Sequence, residues 1–104
     1  MVNLKELQKD VYKNKIDKGF NVTDINKEFC LTYGELAEAY EVWRKNKDDL
    51  GEEIADVVIY LLGLSEILNI DLENEILKKI NKNRHREYKI IDGVNTRTKE
   101  YYDN

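Results

Sequence analysis

The sequence predicts an all-α protein, a four-helix bundle, and three observations lead to this prediction. The 104 residues include no proline and only five glycines, which disfavours turn-rich β-sandwiches and barrels. Hydrophobic residues make up 41% of the chain, enough to build a core. Apolar residues recur at helical spacing in four stretches joined by short connections. We expect a single domain over residues 1–104, with its helical core at 23–88.

The first two helices are bounded by a glycine and by capping residues. The first is expected over residues 3–18, with Gly19 as its C-terminal stop. Thr23 or Asp24 can cap the second, which runs to residue 45. Its apolar and aromatic residues fall within an arc of about 60°, which predicts that this stripe faces the core. The stripe consists of Ile25, Phe29, Leu36, Tyr40 and Trp43.

The third helix is expected from a cap at Asp48 or Asp49 to residue 68. Between Ile54 and Leu64 it is apolar nearly all round, as in a helix buried on most sides. A chain of this length cannot wrap one helix so completely. We therefore expect association with a second copy.

The fourth helix is expected from a cap at Asp71 to residue 88. The tail at 89–104 contains Asp92 and Gly93 between β-capable residues, which is a two-residue hairpin signal. The sequence therefore allows either a short C-terminal β-hairpin or an irregular tail.

Composition and charge exclude several function classes. A single cysteine, Cys30, excludes an internal disulfide and a cysteine-based zinc site, and one histidine with one serine disfavours a Ser–His–Asp triad. Neither a Gly-x-x-x-x-Gly-Lys-Ser/Thr phosphate loop nor a Gly-x-Gly-x-x-Gly motif occurs. The net charge of −4 disfavours a general nucleic-acid binder. The polar N-terminus and the short apolar stretches predict a cytoplasmic protein, without signal peptide or membrane span.

Two pairs of acidic residues are the strongest candidates for a functional site. Asp56 is the only charged residue between Ile54 and Leu64, and Glu53 lies one helical turn before it. Glu35 and Glu38 repeat this spacing on the second helix. If the two helices pack antiparallel, four carboxylates converge and repel one another strongly unless cations bind. Oxygen ligands favour Mg²⁺ or Mn²⁺, whereas a di-iron bundle would need Glu-x-x-His ligands. The alternative is that these are ordinary solvated glutamates.

The fourth helix carries a complementary positive charge. Between Lys78 and Lys89 there are six basic residues and one acidic residue. Asn83 falls on the apolar face of the helix, and Lys79 and Arg86 border it. Such an amide with two cations can hold the sugar and phosphates of a nucleotide. The alternative is a polar residue at the helix end with solvated cations beside it.

These residues together resemble a known family. The chain contains Glu35-Leu-Ala-Glu38 and, after fourteen further residues, Glu53-Ile-Ala-Asp56. This arrangement is similar to the ExxE…ExxD signature of MazG-like nucleotide pyrophosphohydrolases. The segment from Lys79 to Arg86 resembles the Lys/Asn/Arg segment on the last helix of that family. The resemblance covers residues 25–88 and implies an all-α NTP pyrophosphatase bundle that works as a homodimer or homotetramer.

The resemblance also implies a reaction and roles for individual residues. The reaction is Mg²⁺-dependent cleavage between the α- and β-phosphates of a nucleoside triphosphate, giving a monophosphate and pyrophosphate; hydrolysis of phosphoribosyl-ATP is another activity within this class. The implied metal ligands are Glu35, Glu38, Glu53 and Asp56. Alternatively, either Glu35 or Glu38 is catalytic and orients the attacking water instead of binding the metal. The implied substrate contacts are Lys79, Asn83 and Arg86, with Lys82 as an alternative to Lys79.

Two further hypotheses remain open at this point. One is a non-enzymatic helical interaction module, in which the four acidic residues are solvated or paired with lysine and arginine. The other is a nucleic-acid binder that uses the basic segment from Lys78 to Lys89.

Overall fold

The computed structural model describes residues 1–99. Four α-helices precede a β-hairpin, and this order confirms the predicted class. The elements are α1 (Leu4–Asp17), α2 (Ile25–Arg44), α3 (Leu50–Ile67), α4 (Leu72–His85), β1 (Glu87–Ile91) and β2 (Val94–Lys99). The chain forms two compact units, residues 1–72 and the part that begins at Glu73. The single domain expected over residues 1–104 stays a prediction.

The three helices of the first unit all end in the same way. Gly19, Asn46 and Asn69 have positive φ angles of 71°, 55° and 59°. After each of them, a backbone amide donates to the carbonyl five residues earlier, which is the Schellman motif. The three hydrogen bonds are Phe20 to Lys15 (2.9 Å), Lys47 to Val42 (3.0 Å) and Ile70 to Ser65 (2.8 Å). The predicted stop at Gly19 is confirmed, and two asparagines provide the other stops.

The starts of α2 and α3 show which residues cap them. The side chain of Asp24 accepts a hydrogen bond from the backbone amide of Lys27 at 3.1 Å, so Asp24 rather than Thr23 is the N-cap of α2. Asp49 rather than Asp48 is the N-cap residue of α3, although its side chain makes no capping hydrogen bond.

Helix α3 packs against both α1 and α2 in the first unit. Gln8 near the start of α1 donates to Glu66 near the end of α3 at 3.0 Å. Lys15 near the end of α1 instead meets Tyr60 in the middle of α3. These contacts show that α1 and α3 run antiparallel, and the short connection at residues 45–49 makes α2 and α3 an antiparallel pair as well.

The stripe of α2 expected to face the core is largely exposed, so that expectation is wrong for the single chain. Leu36 keeps 57% of its accessible surface and Trp43 keeps 63%. The buried residues of α2 are Glu28 and Ala39, which lie on the adjacent stripe. Helical periodicity identified the apolar arc correctly. It does not reveal whether the same chain or another copy covers that arc.

The burial of α3 changes along its length. Leu62, Gly63, Leu64 and Ser65 in its C-terminal half are buried. In its N-terminal half, Ile54 keeps 51% of its accessible surface. The prediction that one chain cannot wrap this helix agrees with that exposure.

The second unit contains an antiparallel hairpin, β1 with β2. Helix α4 stops at His85 rather than at residue 88, because β1 begins at Glu87. Asp92 and Gly93 have φ angles of 52° and 77°, the pair of positive values that a type I′ turn requires. The hairpin is confirmed up to residue 99. The rest of the predicted tail, residues 100–104, lies outside the described residues.

Candidate active site

Three of the four predicted metal ligands meet where α2 and α3 pack together. Glu35 and Glu38 are one turn apart on α2, and Glu53 lies in the first turn of α3. Because the helices are antiparallel, the start of α3 lies beside the second half of α2. One carboxylate oxygen from each of the three residues lies within 4.8 Å of the other two. We call these three residues the carboxylate cluster.

The fourth predicted ligand lies beside the carboxylate cluster. Asp56 is half-buried, one turn after Glu53 on α3, and is not among the three residues whose oxygens converge. Its negative charge nevertheless raises the pKa of both Glu35 and Glu53, after the larger contributions of burial and of Glu38. Asp56 is therefore close enough to add to the charge of the cluster.

Glu35 and Glu53 hold protons more tightly than solvated glutamates do. Burial is the main cause of the raised pKa of Glu35, followed by the charges of Glu38, Asp56 and Glu53 and by a hydrogen bond with Glu38. Burial also comes first for the pKa of Glu53, followed by the charges of Glu38 and Asp56. The cluster thus contains repulsion between like charges, which a bound cation would relieve.

The carboxylate cluster also contains a buried oxygen that lacks a hydrogen-bond partner among the described residues. The Oε2 atom of Glu53 is buried and has no hydrogen-bond partner within residues 1–99. A buried carboxylate oxygen is costly to leave unpartnered. Together with the carboxylates of Glu35 and the exposed Glu38, this oxygen fits a hard divalent cation, which prefers oxygen ligands.

An open cleft borders the carboxylate cluster and gives access to it. The cleft has a volume of about 440 Å³, and Glu38 and Glu53 are among its lining residues. Lys47 and Asp49, from the connection between α2 and α3, line the same cleft. A ligand can therefore approach two of the carboxylates from solvent.

The predicted substrate contacts lie in the second unit. Lys79, Lys82 and Asn83 are on α4, and Arg86 follows the end of that helix. Arg86 donates from Nη1 to Oδ1 of Asn83 at 2.9 Å, so these two side chains are brought together. Lys82 and Arg86 are half-buried, whereas Lys79 and Asn83 are exposed.

The comparison with protein families is decisive. The model of the MazG-like family matches residues 27–103, about three quarters of the chain. The chain belongs to the MazG-like family. Membership in this family suggests a nucleotide pyrophosphohydrolase-type function, and the family is generally divalent-metal dependent. No curated protein and no solved structure gives a significant match.

The matched range of this MazG-like protein contains every residue predicted for the site, but it leaves α1 out. Across the part of the chain that the structure describes, no helix has both the length and the apolar character needed to cross a membrane. The cytoplasmic location stays a prediction.

Sequence reasoning missed two groups near the carboxylate cluster. Tyr60 has a raised pKa, caused first by burial and then by the charges of Glu35 and Glu28. Lys15 and Glu28 form a buried ion pair between α1 and α2. A signal for the burial of Lys15 was present, because Leu4, Leu7 and Val11 form an apolar stripe on the first helix and Lys15 lies one helical turn after Val11.

Proposed function

We propose that this MazG-like protein is a Mg²⁺-dependent nucleoside triphosphate pyrophosphohydrolase. In this proposal it cleaves the bond between the α- and β-phosphates of an NTP or dNTP, giving a monophosphate and pyrophosphate, and it removes unwanted nucleotides. The observation that carries the proposal is the carboxylate cluster, with its raised pKa values and its unpartnered buried oxygen. Family membership supplies the reaction class.

The residues that hold the metal are Glu35, Glu38 and Glu53, and Asp56 adds a fourth carboxylate beside them. Mg²⁺ is the proposed ion, and Mn²⁺ suits the same oxygen ligands. When bound, such an ion neutralises phosphate charge and lowers the pKa of a coordinated water.

The chain's own side chains complete the chemistry. Glu35 or Glu38 accepts a proton from the attacking water, since both carboxylates belong to the cluster. In the second unit, Lys79 or Lys82 and Arg86 bind phosphate oxygens, and the guanidinium group can do so through two parallel hydrogen bonds. Asn83, which accepts a hydrogen bond from Arg86, binds the sugar and keeps the arginine in place. These contacts act by positioning and by electrostatic stabilisation.

We also propose that the protein works as a homodimer or homotetramer. An apolar groove of about 390 Å³ lies on the surface of α2 and α3. Four of its lining residues are more than half exposed: Leu36, Tyr40, Trp43 and Ile54. An apolar surface of this kind on a soluble domain marks an interaction site. A second copy that covers this groove would bury the stripe that sequence periodicity assigned to a core.

The test is pyrophosphate release from a panel of NTPs and dNTPs in the presence of Mg²⁺. The wild-type protein is expected to release pyrophosphate from at least one nucleotide, and Glu53→Gln is expected to abolish it. Glu52→Gln is the matched control, because Glu52 is exposed and lies outside the carboxylate cluster. Release of orthophosphate alone, or no reaction and no binding of Mg²⁺, would contradict the proposal and favour an interaction module.

A further inference from the structure

A buried ion pair connects α1 to α2. The Nζ atom of Lys15 donates to Oε1 of Glu28 at 2.5 Å, and the two residues keep only 8% and 1% of their accessible surface. The other carboxylate oxygen of Glu28 accepts a hydrogen bond from Asn21 Nδ2 at 3.1 Å. Lysine and glutamate are almost never this buried unless they are paired. Glu28 is therefore held through both of its oxygens.

The path of the Lys15 side chain crosses the surface of α3. A Cβ atom at Gly63 would lie 2.7 Å from Cε and 3.3 Å from Cδ of Lys15, so the lysine passes where α3 has no side chain. The ammonium group then lies 5.3 Å from the centre of the Tyr60 ring. One residue of α1 thus contacts both of the other helices in the first unit.

The ion pair and the carboxylate cluster share helix α2. Glu28 and Glu35 are seven residues apart, which places them on one face of α2, two turns from each other. Tyr60 is one turn after Asp56 on α3. After burial, the charges of both Glu35 and Glu28 raise the pKa of Tyr60, so both glutamates lie within electrostatic reach of one tyrosine.

We propose that Lys15 is a positioning residue for the carboxylate cluster. By holding Glu28 from α1 while its stem rests on Gly63, Lys15 sets the separation of α2 and α3, and this separation sets the distance between Glu35 and Glu53. The family match begins at residue 27, so family membership assigns α1 no role. The inference rests on the proposed function, because it takes the cluster to be a metal site.

The test uses Lys15→Met combined with Glu28→Gln, which removes both charges and leaves neither buried without a partner. The matched control is Lys13→Met combined with Asp17→Asn, which removes an exposed ion pair of 2.8 Å from the same helix. Three quantities are measured for each protein. They are the Mg²⁺ concentration that half-saturates the folded protein in an isothermal binding titration (the Mg²⁺ midpoint), the kcat and KM for the best nucleotide, and amide hydrogen exchange of α2 and α3 without metal.

For the Lys15/Glu28 double variant, we expect wild-type helical content and a Mg²⁺ midpoint at least tenfold higher. We also expect a lower kcat and faster exchange around Glu35 in the metal-free protein. The control should match the wild type in all three measurements. Gly63→Ala is the second variant, since it displaces Lys15 without changing any charge, and it should shift the midpoint in the same direction.

The possible outcomes separate the two proposals. A folded double variant or Gly63→Ala variant with the wild-type Mg²⁺ midpoint would overturn the inference and leave the proposed function intact. A wild-type protein without any Mg²⁺ response would show that the proposed function is wrong, and the inference would be wrong with it.

Discussion

Gly63 provides the sharpest prediction about stability, because two effects oppose each other there. Glycine inside a helix is less favourable than alanine by about 1 kcal/mol, so Gly63→Ala would stabilise α3 if nothing lay nearby. A Cβ atom at this position would, however, lie 2.7 Å from Cε of Lys15 and 3.3 Å from Cγ1 of Val11. The lysine stem therefore has to move, although its ammonium group is held by Glu28.

The balance of these effects gives the expected magnitude. Overpacking a buried site costs roughly 1–3 kcal/mol, and disturbing a buried ion pair adds to this because full loss of one partner costs about 3–5 kcal/mol. After the propensity gain is subtracted, we expect Gly63→Ala to lower the free energy of unfolding by about 1–2 kcal/mol. That change corresponds to a fall in melting temperature of roughly 5–10 °C for a chain of this size.

Thermal and urea denaturation of Gly63→Ala and Gly34→Ala, both without metal, measure this difference. Gly34 lies inside α2, and a Cβ atom there would meet no described atom within 4 Å beyond its own helix and chain neighbours. Gly34→Ala should therefore raise the free energy of unfolding by up to about 1 kcal/mol. Equal stabilisation by the two substitutions would refute the reasoning, because it would show that Lys15 moves aside at no cost.

Three further predictions concern the carboxylate cluster, the buried ion pair and the apolar groove. Without metal, the raised pKa of Glu35 means that this carboxyl binds a proton more tightly in the folded state than in the unfolded state. Protonated Glu35 therefore stabilises the fold at low pH, and this stabilisation is lost as pH rises through the folded pKa. The free energy of unfolding of Glu35→Gln, minus that of the wild type, should accordingly increase as pH rises from 4.5 to neutrality, as measured by urea denaturation. A difference that does not change with pH would contradict this. Lys15→Met alone should lower the free energy of unfolding by about 3–5 kcal/mol, because Glu28 stays buried without its partner, and urea denaturation should show a smaller loss when Glu28→Gln is added. Trp43→Glu should shift the oligomer toward monomer in sedimentation velocity, and an unchanged sedimentation coefficient would exclude the apolar groove as the interface.

The helices and the carboxylate cluster could be predicted because both depend on local spacing. Asp24 begins α2 and Gly19 ends α1 through contacts with residues only a few positions away, which a sequence displays directly. Glu35 and Glu38 lie on one face of α2 for the same reason, and a short connection to α3 makes the two helices antiparallel. Family resemblance then added the expected reaction class, which spacing alone does not reveal.

The features that could not be predicted depend on contacts between helices. Hydropathy periodicity assigns charged residues to the surface, so it does not predict that Lys15 and Glu28 are buried. Burial of the two charges is tolerated only because α1 and α2 bring them together across 13 residues. The exposed stripe with Trp43 is the reverse case, since an apolar arc predicts burial but does not identify the surface that covers it.

The most direct test of the central claim is anomalous X-ray diffraction from crystals of the wild-type protein grown with Mn²⁺. The account predicts one or more Mn²⁺ peaks bonded to carboxylate oxygens of Glu35, Glu38 and Glu53, and no such peak in Glu53→Gln crystals grown in the same way. Wild-type crystals in which the three carboxylates converge with no metal peak between them would contradict it.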